Sequence, residues 1–290
     1  MNKAINVATS FMKKYNIPSA TLYHYCPLST LLSIIESMEL WLGRTAYMND
    51  TQEVYYFINN LNSCLQKTLP KNKLQRCNTI FKEVDRQILE ESRYAFCLSE
   101  LYDDAAQWER YSDNACGVSF GFNPTVLIAL IHNIPLTFTQ VVYGYDPMNH
   151  DVYKVLKEYI ENNPFIDDFR KVDGIISNML ACAIKYKHAS FSSEQEWRVG
   201  TLLSDNNSSQ FCPDFRQDFK LMSNGSIRSV VVLDLKHRCS QFEIAFDDLF
   251  DNIIIGPRSK QSVGEFQGYL KKLGHDKLAE KVYKSTCPLR

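Results

Sequence analysis

The chain contains 290 residues, of which 45% are hydrophobic and 22% charged, the composition of an ordinary globular protein. This balance excludes a predominantly disordered chain, because disordered segments lack the apolar residues needed to form a core. The 32 Lys and Arg residues against 33 Asp and Glu residues leave a net charge of −1, which does not favour binding to nucleic acid or to an anionic membrane.

The N-terminal part of the chain predicts short strands separated by helices. Residues 5–12 have apolar side chains at helical spacing. Residues 21–25 and 40–42 are strand-like, and between them a helix starts at Pro27, a residue that is common in the first turn of helices. Residues 51–92 predict two helices separated by a proline.

From residue 94 onwards, strands become more frequent. The apolar patterns predict strands at 94–98, 118–122, 137–145, 197–203, 228–235 and 252–255, with a last strand ending near Tyr283. They predict helices at 105–111, from Pro124 onwards, and at 152–161, 167–185 and 263–273. The polar stretch 204–225 is expected to be irregular.

The order of these elements favours the α+β class, because helices and strands are mixed without the steady alternation of a doubly wound sheet. No repeat and no Gly/Ser/Pro-rich linker divides the chain. We therefore expect an N-terminal helix over residues 1–20 and a single α+β domain over residues 21–290. Helical insertions are expected at about 51–92 and 148–186.

Cysteine usage and apolar runs bear on the cellular compartment. No apolar run approaches the ~20 residues that span a bilayer, and residues 1–11 lack the features of a signal peptide. The nine cysteines include no C-x-x-C pair, the spacing found in many structural zinc sites. We expect reduced core thiols, no metal, no membrane association and a cytoplasmic location.

His24 stands late in the first predicted strand, within Leu22-Tyr23-His24-Tyr25-Cys26. An imidazole in this position can bind a ribose hydroxyl or act as a base near neutral pH. The alternative is a half-buried histidine that bonds a nearby carbonyl, and this segment alone favours that alternative.

A second candidate segment contains Trp108 and Tyr111, which lie on one face of the predicted helix 105–111 because they are three residues apart. Such a pair is commonly part of the core. With Asp103 and Asp104 beside it, the pair is also a candidate platform for a nucleobase or a nicotinamide ring.

The segment 187–198 is the most informative, because it holds Glu194, Glu196 and Arg198. If the strand begins early enough, both carboxylates project from the same face. Two carboxylates on one face repel each other, which raises the pKa of one and favours a division of catalytic roles. The alternative is an ion-pair ladder between Glu196 and Arg198 on the protein surface.

These segments together resemble an uncharacterised prokaryotic family of unknown function. Its pattern combines an L-Y-H-Y-T opener, a short L-W strand, N-D-x-x-E, F-C-F-S, Q-W-x-x-Y, G-x-x-x-G-F, K-H-x-x-F-x-x-E-x-E-W-R and I-x-x-I-x-x-G-P. The chain matches this pattern in order from residue 22 to the C-terminal region, with Cys26 in place of the usual Thr. The resemblance itself implies no established activity.

A second resemblance is to ADP-ribosyltransferases. These enzymes have a His or Arg on the first strand, a hydroxyl residue on a middle strand and a Gln/Glu-x-Glu sequence near a later strand. His24, Ser99 and Glu194-Gln195-Glu196 occur in that order, and the opener is similar to the H-x-T of the histidine-type branch. The resemblance implies a mixed or antiparallel split sheet, with NAD as the substrate.

The same resemblance implies roles for particular residues. Glu196, Glu194 and His24 would be catalytic: Glu196 stabilises the oxocarbenium-like cation formed as nicotinamide leaves, Glu194 orients the acceptor, and His24 with Ser99 holds the nicotinamide ribose. The residues that it implies in cofactor binding are His24, Tyr25, Ser99, Trp108, Tyr111 and Arg198.

The sequence thus predicts an NAD-dependent ADP-ribosyltransferase-like enzyme or NAD glycohydrolase, of the kind found among bacterial toxins and phage-defence effectors. A small-molecule nucleotide is the expected ligand, and the macromolecular acceptor is undefined. One alternative is a hydrolase of nucleotides or nucleic acids that uses Glu194, Glu196 and His188. The other is a non-catalytic ligand-sensing or interaction domain. The hypothesis of an NAD-cleaving enzyme requires His24, Ser99 and Glu196 to share one cleft of ~300–1,000 Å³.

Overall fold

The computed structural model describes residues 3–15, 17, 19–47, 53–162, 169–204, 212, 214–222 and 225–289. The helices of this part of the chain are α1 (Lys3–Tyr15), α2 (Leu28–Ser37), α3 (Glu53–Thr68), α4 (Leu74–Glu90), α5 (Ala105–Tyr111), α6 (Pro124–Ile131), α7 (Asp151–Asn162), α8 (Phe169–Ala183), α9 (Leu235–Phe242), α10 (Val263–Lys272) and α11 (Asp276–Ala279). The strands are β1 (Leu22–Cys26), β2 (Glu39–Arg44), β3 (Glu91–Ser99), β4 (Val118–Phe122), β5 (Thr137–Gln140), β6 (Val142–Tyr143), β7 (Tyr186–Lys187), β8 (Glu196–Ser204), β9 (Phe215–Leu221), β10 (Ile227–Asp234), β11 (Phe250–Ile255) and β12 (Val282–Lys284).

Short polar side chains fix where several helices begin. The carboxylate of Asp104 accepts a hydrogen bond from the Gln107 N–H at the start of α5. Asn123 caps α6 in the same way, directly before a proline in the first turn. Such caps satisfy N–H groups that have no partner within the helix, so the predicted bounds of α5 are also the observed ones.

The strands form one large sheet in the order β12-β11-β4-β1-β3-β2-β10-β9, with β8 pairing to β3 and β5 to β8. All its pairings are antiparallel except that of β11 with β12. A separate parallel pair joins β6 to β7. A mixed, mostly antiparallel sheet covered by helices confirms the predicted α+β class.

The strand pairing of the sheet is interrupted along one edge of β3. Along one edge, β3 pairs with β8 over its whole length, from Glu91 to Ser99. Along the other edge, β3 meets β1 only at Tyr23↔Ser99 and meets β2 only at Ala95 and Tyr94. The edge of β3 between these contacts therefore pairs with neither strand, and a gap separates β1 from β2.

The two faces of the sheet carry different residues. On β3 and β8, Phe96 and Val199 belong to the main hydrophobic core, together with side chains from α1, α2, α6, α9 and α10. Because side chains alternate along a strand, Ser99, Glu196 and Arg198 lie on the opposite face. A second core unites α3, α4, α7 and α8, so helices from the two predicted insertions pack against one another.

The prediction for residues 204–225 was wrong in part, because β9 lies within this stretch. This strand is at the end of the sheet and pairs with β10, so alternate side chains such as Gln217 and Phe219 are exposed. A strand that buries so few apolar groups lacks a strong hydrophobic pattern. Helix α9, which begins at its N-cap Asp234, was also missed.

Candidate functional site

Seven of the residues singled out in the sequence surround one cavity of about 250 Å³. They come from β1, β3, α5, β8 and the turn before β8, and they are His24, Tyr25, Ser99, Tyr111, Glu194, Glu196 and Arg198. The imidazole, the hydroxyl group and the carboxylate that were expected to share a cleft therefore do so. The volume is slightly below the ~300–1,000 Å³ range of ligand pockets.

Trp108, the eighth residue, does not line this cavity. Its side chain is completely buried, its ring packs edge-on against Tyr25 at 4.9 Å, and its Nε1 donates to Asp103 at 2.7 Å. The structure therefore places Trp108 behind the cavity wall, where it supports Tyr25, and the platform expected from Trp108 and Tyr111 is not formed.

His24 occupies the gap between β1 and β2, where its ring faces the unpaired edge of β3. Its Nδ1 lies 2.7 Å from the carbonyl oxygen of Cys97, and its ring stacks on Phe96 at 4.2 Å. Burial lowers the pKa of His24 to about 4, although the bond to the Cys97 carbonyl opposes this shift. A neutral imidazole whose Nδ1–H donates to a carbonyl has an Nε2 that can accept a hydrogen bond.

Glu196 and Arg198 form a buried two-point ion pair. Arg198 Nε donates to Glu196 Oε1 at 2.7 Å and Nη2 donates to Oε2 at 3.0 Å. The two residues are only 5% and 1% exposed, which rules out the surface ladder considered as an alternative. Arg198 is fixed further by its bond to the Ile184 carbonyl at 2.9 Å.

The ammonium group of Lys187 joins the two carboxylates. It lies 2.7 Å from Glu194 Oε2 and 3.2 Å from Glu196 Oε2, and it is itself buried. Sequence reasoning did not single out Lys187. The only signal was its place as the first residue of the K-H-x-x-F-x-x-E-x-E-W-R block.

The electrostatics of this cluster keep Glu196 ionised. Burial alone raises the pKa of Glu196, but the charge and hydrogen bonds of Arg198, together with the charge of Lys187, more than offset that effect and lower the pKa to about 2. The side chain is therefore a carboxylate at neutral pH. The backbone N–H of Glu196 donates to the Tyr143 hydroxyl at 2.9 Å, another contact that sequence reasoning missed.

Glu194 reaches the cluster through a turn and not through the strand. Strand β8 begins at Glu196, and Gln195 before it adopts a left-handed conformation with φ of 44°. The Ser99 hydroxyl donates to the Glu194 carbonyl at 2.6 Å and accepts from the Leu101 N–H. Ser99 therefore holds this turn in place, which differs from the ribose contact expected of it.

Tyr25 and Tyr111 line the cavity, and the hydroxyl groups of both residues form hydrogen bonds within the protein. Tyr111 donates to Glu194 Oε1 at 2.7 Å. Tyr25 donates to the Leu101 carbonyl and accepts from the Asp104 N–H, so it ties β1 to the start of α5. Burial raises the pKa of both hydroxyl groups. They remain protonated at neutral pH.

Within the described ranges, no group of three or more His, Cys, Asp or Glu side chains has the arrangement of a metal site. Nor does any helix in those ranges combine the length and the apolar character needed to cross a bilayer.

Part of this site lies in a range of the chain that is similar to a known family model. No curated protein and no solved structure matches the chain significantly. A family model described as a protein of unknown function (DUF2971) matches residues 107–199, a range that holds α5, Lys187 and both carboxylates. The expected resemblance to an uncharacterised family is thus confirmed over this range, where the chain is similar to DUF2971.

Proposed function

We propose that the cavity binds the nicotinamide ribose of NAD and cleaves the bond between the sugar and nicotinamide, passing ADP-ribose to an acceptor or to water. The observation that carries this proposal is the cavity itself, which brings a neutral imidazole at His24 and an ionised, immobilised carboxylate at Glu196 to one place.

The chemistry needs a fixed negative charge. When the glycosidic bond breaks, positive charge develops on the sugar carbon and ring oxygen. A carboxylate that is already ionised and held by other groups stabilises that charge without reorganising during the reaction. Arg198 and Lys187 hold Glu196 in this state, and the burial of its side chain strengthens the interaction.

The sugar and the base have suitable partners. The acceptor Nε2 of His24 suits a ribose hydroxyl, and the rings of Tyr23, Tyr25 and Tyr111 line the cavity, as a nicotinamide ring requires for packing. Glu194, which binds Lys187 and Tyr111, would orient the acceptor. An acceptor hydroxyl or a water would add to the sugar carbon and release its proton to solvent, while nicotinamide leaves with the bonding electrons.

A second candidate function is a ligand-binding module without catalysis. The same ion pairs favour it, because the charges of Glu194, Glu196, Lys187 and Arg198 balance one another and form a stable, neutral wall. Such a wall would recognise a nucleotide without cleaving it.

Chromatography of free nicotinamide after incubation with NAD separates these two functions. The enzyme proposal expects release by the wild type and a loss of at least ~100-fold in Glu196→Gln, the size typical for removal of a group that stabilises charge in the transition state. Asp214→Asn is the matched control, because Asp214 forms a similar buried pair with Arg238 away from the cavity. Release that survives Glu196→Gln would reject the mechanism, and NAD binding without release would favour the module.

A further inference from the structure

A second cavity of about 240 Å³ lies beside the first. His24 and Cys97 line both cavities, so the imidazole that fills the gap in the sheet stands between them. The second cavity continues towards β2 and β10, where Trp41, Gly43 and Val230 form its wall. Each cavity alone is smaller than the ~300–1,000 Å³ of a typical ligand pocket, and the two together fall within that range.

No close contact of described atoms requires a glycine at position 43. It lies inside β2, paired with Ala95 and Val230, which also line the second cavity. A Cβ atom built at Gly43 would meet no described atom within 4 Å, whereas the strand glycine Gly121 would clash with a side chain at 2.4 Å. A glycine within a strand lowers stability, and it often marks a place where a ligand approaches the backbone closely.

Trp41 supplies an oriented aromatic wall next to this glycine. Its Nε1 donates to Glu39 Oε2 at 3.0 Å, and the ammonium group of Lys220 lies 5.1 Å from the centre of its ring. These two contacts hold the indole in one orientation before any ligand binds. Stacking on such a ring favours a planar base.

We propose that the second cavity is the subsite for a planar nucleobase, the adenine of a dinucleotide whose nicotinamide ribose occupies the first cavity. This inference rests on the proposed function for the identity of the dinucleotide. It adds that the substrate lies across the gap in the sheet on both sides of His24, with one base beside Tyr25 and the other between Trp41 and Gly43.

The experiment fills the space beside Gly43 and compares two substrates. Gly43→Leu adds a side chain at the wall of the second cavity, at a position where a Cβ atom meets no described atom within 4 Å, and Gly268→Leu on α10 is the matched control, because a Cβ there also meets open space. Cleavage of NAD and of nicotinamide mononucleotide, which lacks the adenylyl half, is measured for each protein as kcat/KM. Binding of AMP is measured by calorimetry.

The subsite predicts that Gly43→Leu lowers the ratio of kcat/KM for NAD to that for nicotinamide mononucleotide at least ~10-fold, the lower end of what pocket contacts achieve. It also predicts that AMP binding is lost, and that Gly268→Leu changes neither. If the wild type cleaves NAD and the ratio does not change, the subsite is rejected.

If the wild type cleaves neither substrate, the proposed function fails while the subsite is still tested. AMP binding to the wild type that disappears in Gly43→Leu would then support a base-binding cavity. If AMP does not bind to the wild type, or binds equally to Gly43→Leu, the base-binding subsite is rejected.

Discussion

Replacing Glu196 by Gln tests the physical basis of the site, because the carboxylate contributes to folding as well as to chemistry. The variant keeps the shape of the side chain and removes its charge, so Arg198, which is 1% exposed, loses the carboxylate that it binds through two hydrogen bonds. Breaking a buried pair from one side costs about 3–5 kcal/mol. The lowering of the Glu196 pKa from its ordinary value of 4.5 to about 2 gives a second figure of about 3 kcal/mol.

The pH dependence of this loss has a definite sign. The pKa of Glu196 is lower in the folded state than in the unfolded state, so its contribution is complete above pH 4.5 and disappears as the pH falls towards 2. Urea unfolding at pH 7 and at pH 3.5 should therefore show a difference between wild type and variant that shrinks at the lower pH. At pH 7, about 3 kcal/mol corresponds to a fall in Tm of roughly 6–12 °C for a chain of this size.

The matched control is Glu83→Gln, which makes the same chemical change in an exposed pair with Arg86. Exposed pairs contribute ~0–1 kcal/mol, so this variant should unfold almost as the wild type does. A loss below about 1 kcal/mol in Glu196→Gln, or a difference that does not shrink at low pH, would refute the assignment of Glu196 as a buried, ionised group.

Three further predictions concern neighbouring groups. Lys187→Met removes the ammonium group that lies between Glu194 and Glu196, and because nearby like charges favour protonation, urea unfolding should show a larger loss of stability at pH 7.5 than at pH 5; an equal loss would contradict the shared ammonium. His24 has a pKa of about 4, so kcat/KM for NAD should show no histidine limb between pH 5.5 and 8; an acid limb near pH 6.5 would show that the imidazole is not held neutral. Asp103 accepts hydrogen bonds from Trp108, Ser285 and Thr286, so Asp103→Ala should speed amide hydrogen exchange in residues 285–289; unchanged protection would exclude the carboxylate as the anchor of this segment.

Local patterns predicted the parts of the site that lie within one segment. The alternation of Glu196 and Arg198 along a strand places both on one face, and the structure shows them joined by two hydrogen bonds. Strand β1 was similarly predictable from its apolar pattern, since the predicted range 21–25 differs from Leu22–Cys26 by one residue at each end. Such features depend on neighbours in the chain, which the sequence displays directly.

The remaining features depend on contacts between distant segments. The gap that His24 fills exists because β1 and β2 leave β3 at different points, and no local pattern encodes where two strands separate. Lys187 reaches the carboxylates from β7, which belongs to a separate two-stranded sheet. The left-handed Gln195 was unpredictable for another reason, since this conformation is uncommon for residues other than glycine.

The role of the Glu196 carboxylate in cleavage is tested by comparing nicotinamide release by the wild type and by the double variant Glu196→Gln/Arg198→Met. Removing both charges of the pair avoids an unpartnered buried ion, so the variant should unfold close to the wild type. We expect a stable fold in which nicotinamide release from NAD is at least ~100-fold slower. Release at the wild-type rate from this folded protein would show that the negative charge of residue 196 plays no part in breaking the bond.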